Sequence, residues 1–139
     1  MILFWKRSPK AKSSMSDEAG VWLRYAEENL RSARLLLEHG LLNPCLQNAQ
    51  QAVEKSLKAM LIARAIPLRR THSIQELANL LAATGLPSGV TAEECNLLDA
   101  IYLPSKYPLG SALPDFEPDE EICRQCVQIA ERVAALARQ

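Results

Sequence analysis

Residues 43–64 read NPCLQNAQQAVEKSLKAMLIAR, and their periodicity decides the fold class. Leu46, Val53, Leu57 and Met60 recur at helical intervals and form one stripe of large apolar side chains. Cys45, Ala49, Ala52, Ser56, Ala59 and Ala63 form an adjacent strip of small ones, against which a neighbouring helix can lie close. Asn43 is a natural N-cap, and Pro44 takes the first helical position, where its missing N–H breaks no bond. The spacing predicts a helix from Pro44 to about Arg64, ended before Pro67. Gln47, Gln51, Glu54, Lys55 and Lys58 project from the other side. Glu54 and Lys58 have the favourable i,i+4 order, so periodicity alone reads this side as a solvated face held by an ion pair. Gln50 sits at the edge of the large apolar stripe, where a buried amide must find partners; it can tie this helix to the loop that follows.

Working outward, the same period continues. Ala19, Trp22, Leu23, Ala26, Leu30, Ala33 and Leu37 line one stripe of a preceding helix, opened by Ser16, Asp17 and Glu18 and stopped by Gly40. After a loop over 65–71, Ser73 and Glu76 form a capping box for a short helix through Ala83, closed by Gly85 and Pro87. A second box, Thr91 with Glu94, starts a helix containing Leu97, Leu98 and Ile101, which Pro104 and Pro108 are expected to end. The run 103–118 holds four prolines and a glycine and reads as the longest irregular connection, of a kind that is usually functional or mobile. Asp119, Glu120 and Glu121 open a last helix carrying Ile122, Cys126, Ile129, Val133 and Leu136. No stretch alternates like a strand. The expected fold is all-α, a five-helix up-and-down bundle with three long helices and two shorter ones. The apolar face of the last helix is broader than one neighbour covers, which suggests self-association.

Composition narrows the function classes. The chain has 139 residues, 48% hydrophobic, with 16 basic against 16 acidic side chains. A disordered chain would be less apolar and a membrane helix would need an apolar run of roughly 18 residues; zero net charge argues against a generic polyanion binder. The balance is uneven, however. Lys6, Arg7, Lys10 and Lys12 precede Met15 with no acid among them, leaving 12 basic against 16 acidic residues from there on, a net of −4. Residues 1–15 are read as a flexible basic leader and 16–139 as the folded domain. MILFW at the start is too short for a signal-peptide core and precedes its positive residues, so the protein is expected to be cytoplasmic. The leader is either the product of an upstream start, Met15 being a second one, or a real basic arm. Cys45, Cys95, Cys123 and Cys126 are expected to be reduced, and the C-x-x-C of Cys123 and Cys126 lies within a helical apolar pattern with no strand before it, which makes these core thiols and not metal or redox groups. No cofactor is expected.

Three strings then occur in order: NAQQAVEKSLKAML, THSIQEL and YLPSKYP. Together they resemble the HEPN family of small prokaryotic helical-bundle domains, through Gln50, Gln51, Ala52, Glu54, Lys55, Leu57, Lys58 and Ala59, then Thr71, His72 and Leu77, then Tyr102, Lys106, Tyr107 and Pro108. The resemblance covers the chain from Ser16 onward. It implies nucleotide or other anion binding, pairing with a separately encoded minimal nucleotidyltransferase, and in some branches metal-independent RNA cleavage by a toxin. Those ribonucleases carry an Arg, four to six residues and a His near a late helix. Here the histidines are His39 and His72; Arg64 and His72 have seven residues between them, Arg69 and Arg70 lie too close, and no His follows Lys106. Arg34 and His39 fit the count but lie within the first helix. Lys106, where similar proteins carry arginine, keeps the charge and loses the bidentate fork.

The candidate ligand-binding residues are therefore Gln51, Lys55, Lys58, Arg69, Arg70, His72, Tyr102, Lys106 and Tyr107, with no catalytic residue and no metal ligand assigned. His72 has two readings, a structural one orienting the loop before the third helix and a functional one as an anion or nucleotide ligand. Tyr102 and Tyr107 could stack on a base, although a buried tyrosine with a bonded hydroxyl is the commoner use. The leading expectation is a non-catalytic, homodimeric HEPN-type module for a nucleotide-like or anionic ligand, partnered by a nucleotidyltransferase. The alternatives are a toxin ribonuclease using His72 with Arg69 or Arg70 on an RNA substrate, and a structural interaction domain.

Overall fold

The computed structural model describes residues 15–68, 70–106 and 117–139, with side chains described from Asp17 to Tyr102 (Arg69 aside) and from Glu117 onward. Five helices follow one another: α1 (Met15–Glu38), α2 (Leu42–Ala63), α3 (Ile74–Ala82), α4 (Ala92–Lys106) and α5 (Glu120–Ala137). Among the described residues there is no strand, so the all-α reading holds, with α1, α2 and α5 as the long members. No helix among them is long and apolar enough to cross a membrane. The leader falls outside the described residues, apart from Met15 at the start of α1.

The helix starts and stops fall where the sequence puts them, with two exceptions. Ser73 caps α3 by accepting the Glu76 N–H, Thr91 and Glu94 exchange both bonds of their box at 3.0 and 3.1 Å, and Asp119 caps α5 by accepting the Ile122 N–H at 2.7 Å. The first exception is α2. It starts at Leu42, after an uncapped Leu41, so Asn43 and Pro44 lie inside the first turn. Proline is tolerated there because its N–H would have no intrahelical partner in any case. The second is α4, which runs through Pro104 to Lys106 instead of ending at it.

Helix α2 is the hub. It packs on each of the other four helices, most extensively on α1, and thirteen of its 22 residues are buried. That overturns the expected solvated face at Glu54 and Lys58, which lie inside with the apolar stripes, next to the Gln50 amide expected to be buried there. Only a narrow, half-buried stripe of Gln47, Asn48, Gln51 and Lys55 remains, and the buried polar side chains find partners in one another and in neighbours, apart from Ser56 Oγ, which has none among the described residues. Where α1 meets α2, Ala26 and Ala33 have no exposed surface, like Ala49 and Ala52 of α2, so the backbones can approach closely. Asn29 joins the seam, donating to Asn48 at 2.9 Å and accepting from Lys55 Nζ at 2.8 Å.

Helix α5 also departs from expectation. Cys123, Cys126, Val127, Ile129, Ala130, Val133 and Ala134 are all buried within the single chain, against α2 and α1. Its apolar face has two neighbours and no surplus. Cys45, Cys95, Cys123 and Cys126 are free and buried. Burial, reinforced by neighbouring thiols and carboxylates, pushes Cys123 and Cys126 up to about 12; burial with Asp99 and Glu94 pushes Cys95 to about 11. At neutral pH these are protonated core side chains.

Candidate functional site

The corner between α2 and α3 is held from both sides. From α2, Gln50 Nε2 donates to the His72 carbonyl at 3.4 Å, the tie expected of a buried amide at that stripe edge. From α4, Asp99 accepts the Ile74 N–H at 2.7 Å, the Gln75 N–H at 3.2 Å and the Ser73 hydroxyl at 3.1 Å. Thr71 Oγ1 accepts the Ser73 N–H at 3.0 Å, closing the turn locally. The positive end of α3 is thus occupied by a carboxylate of the chain itself.

His72 stands at the centre of this corner. Its Nδ1 is 3.1 Å from Glu54 Oε2, an oxygen that also accepts from Lys58 Nζ at 2.8 Å. The Glu54 side chain is only 4% exposed and that of Lys58 11%, whereas that of His72 is 60% exposed. Glu54 therefore reaches from the interior to hold a ring that faces solvent. On its flat side, the imidazole stacks on Tyr102, with centroids 5.1 Å apart and planes 15° from parallel. Lys58 is covered by Trp22, whose ring centroid is 5.4 Å from Nζ, a placement in which the aromatic face supplements the carboxylate.

Two hollows open beside the imidazole. One, of about 440 Å³, is lined by Lys58, Leu68, Arg70, Thr71 and His72; the other, of about 210 Å³, by His72, Ser73, Asp99 and Tyr102. The charges differ. The ammonium of Lys58 is matched by Glu54, while Arg70 is exposed and forms no ion pair among the described residues. The larger hollow has the exposed Arg70 and His72 in its lining; the smaller is walled by Asp99, whose carboxylate repels anions.

Of the residues singled out in the sequence, Lys58, Arg70, His72 and Tyr102 come together here. Lys55 does not line either hollow; it reaches Asn29 at the α1–α2 seam, 5.9 Å from the Tyr25 ring centroid. Gln51 donates to Gln50 Oε1 at 2.9 Å and so steadies the buried amide. Arg69, Tyr107 and the side chain of Lys106 lie outside the described residues. Asp99 and the buried role of Glu54 escape a reading of the sequence. Glu54 lies among polar neighbours on the helical wheel, and Asp99 is 25 residues from the N–H it caps most closely, too far for any local capping signal.

Comparison with known proteins places these features in context. Residues 19–139 match the family model described as HEPN domain. The fold is similar to that of ST0689, an archaeal HEPN homologue, with a TM-score of 0.58 and 23% sequence identity over 86% of this chain and 94% of that one. It is also similar to TT1696 from Thermus thermophilus, with a TM-score of 0.56 and 28% identity over 86% of this chain and 95% of that one. None of the curated proteins compared matches the chain.

Proposed function

The chain belongs to the HEPN domain family, and from that premise we propose that it is a non-catalytic binding module whose ligand, nucleotide-like and anionic, sits in the larger hollow at the α2–α3 corner. One observation carries the reading: Lys58, Arg70 and His72, from a helix and a loop, line a single concavity. An acidic body can hold an anion where one unmatched cation, Arg70, faces a hollow with the Lys58 ammonium beside it, because short-range contacts outweigh the mean field of distant, screened charges. Arg70 supplies the guanidinium fork suited to a phosphate. Tyr102 stacks on the imidazole and lines the smaller hollow, so of the aromatic pair only His72 belongs to the wall of the larger one.

Two partners complete the proposal. A second copy of the chain makes a homodimer through the α1–α5 face, and a separately encoded minimal nucleotidyltransferase is the heterologous partner, as the family membership suggests. Co-purification with the enzyme encoded beside it tests the latter.

Titration of the melting temperature with AMP, ADP and ATP tests the ligand reading, since a molecule that binds the folded form raises it in proportion to ln(1 + [L]/Kd). At least one nucleotide should raise it, and Arg70→Ala should weaken that ligand about tenfold, the worth of one charge-assisted bond. A flat response to all three sinks the reading. RNA cleavage lost in His72→Ala would instead make the protein a toxin ribonuclease.

A further inference from the structure

We infer that Glu54 is a positioning residue that keeps the proton of His72 on Nδ1, so that the ligand of the larger hollow must bring an O–H or N–H donor to Nε2 beside its phosphate; the ligand class is a hydroxylated phosphate ester, a sugar phosphate or nucleotide. The inference rests on the binding role proposed above and specifies what that site selects.

The argument starts from what a carboxylate can do. Ionised, it only accepts hydrogen bonds, and Glu54 Oε2 already accepts from the Lys58 ammonium. The 3.1 Å contact to His72 Nδ1 is therefore a hydrogen bond only if Nδ1 carries the proton. Because Lys58 matches the charge of Glu54, a neutral imidazole completes the cluster without adding an uncompensated cation to a carboxylate that is 4% exposed. In a neutral imidazole protonated on Nδ1, Nε2 is an acceptor. That atom has no hydrogen-bond partner among the described residues, on a ring whose side chain is 60% exposed and which lines both hollows. An acceptor on a ring that lines the hollow gains nothing from a bare phosphate oxygen and repels it. It rewards a hydroxyl. Arg70 and Lys58 take the anion, and His72 selects for what is attached to it. The backbone supports the orientation, since Gln50 holds the His72 carbonyl while the Tyr102 ring fixes the imidazole plane.

Two measurements test this on the full chain. Long-range proton–nitrogen correlation on protein labelled at histidine reads the tautomer: His72 should show a protonated Nδ1 and a bare Nε2, and Glu54→Gln should lose that pattern because an amide can donate to Nδ1. The opposite pattern in the wild-type protein overturns the positioning role, whether or not the variant folds. The second measurement compares ribose 5-phosphate with methyl phosphate at about pH 8, where the methyl ester has shed its acidic O–H. Ribose 5-phosphate should bind about tenfold more tightly, the worth of one well-made hydrogen bond. His72→Phe, which keeps a ring against Tyr102 but removes Nε2, should abolish the preference. Equal binding of the two esters, or a preference that survives in His72→Phe, refutes the selectivity while the anion site stands. If neither ester binds, the anion site itself falls, and the tautomer still decides the role of Glu54.

Discussion

At the scale of single residues, Asp99 does the most with one side chain. It accepts two backbone N–H groups and the Ser73 hydroxyl, so it joins α4 to the first turn of a helix only nine residues long. Short helices owe their stability to caps and packing more than to propensity. Asp99→Ala should therefore lower the unfolding free energy by about 1–2 kcal/mol, the usual worth of a lost cap. Asp99→Asn should recover part of that loss, because its amide oxygen still accepts. Urea denaturation of the two variants measures both; equal losses would show that charge, not acceptance, matters. Local sequence offers no access to this role. Ser73 and Glu76 announce the cap three residues apart, but the partner that completes it lies on another helix, and Thr71 takes the Ser73 N–H that the Glu76 side chain would accept in a full box. His72 is legible as a candidate because it stands alone beside arginines; that a buried carboxylate orients it is not, because burial is a property of the assembled bundle.

At the scale of elements, every helix can be placed from its sequence, since the 3.6-residue period and the stop signals are local. The errors fall where tertiary contacts override a local rule. Helix α2 reads as amphipathic because its polar residues cluster, but packing on four neighbours buries Glu54 and Lys58 among them, and their ion pair holds inside the protein rather than on its surface. The C-x-x-C of α5 follows the expectation from its apolar surroundings, and its burial has a consequence for pH. An unfolded thiol titrates near its ordinary value, whereas Cys123 and Cys126 are held near 12. Between those values the unfolded chain releases protons that the folded one keeps, so stability is intact below about pH 8.5 and falls as pH rises toward 12. The urea midpoint should drop steeply above about pH 9 in the wild-type protein and less steeply in the double variant Cys123→Ala, Cys126→Ala. Parallel slopes would assign the alkaline loss to other groups. Below that range the same thiols should resist Ellman's reagent until the chain is unfolded.

At the scale of the whole molecule, the question is what the surface is for once the core is complete. The chain buries the apolar faces of α2 and α5 by itself, so the surplus expected of α5 does not exist. Among the described residues the exposed large apolar side chains are instead Val21, Tyr25 and Leu35 on α1 and Leu41 just after it. Leu35 is 55% exposed and borders a groove of about 630 Å³ between α1 and α5, where Arg31, Arg34 and Arg124 alternate with Glu38 and Glu131. Arg34 pairs with Glu131, and Arg124 with Glu120 and Glu121, within the chain, so a copy related by a twofold axis can set Arg31 of each chain against Glu38 of the other around the apolar centre. If this face makes the homodimer, light scattering should give twice the chain mass. Leu35→Glu would then bury two carboxylates in place of two leucines, weakening the dimer by at least about 3 kcal/mol, or about a hundredfold in Kd. The helical content should not change, because Leu35 contributes little to the core. A variant that keeps the dimer mass would move the interface elsewhere, and a wild-type mass of one chain would remove it. The same experiment bears on the ligand site, since the α2–α3 corner shares no lining residue with the groove: a monomeric Leu35→Glu should bind ribose 5-phosphate as the wild-type protein does.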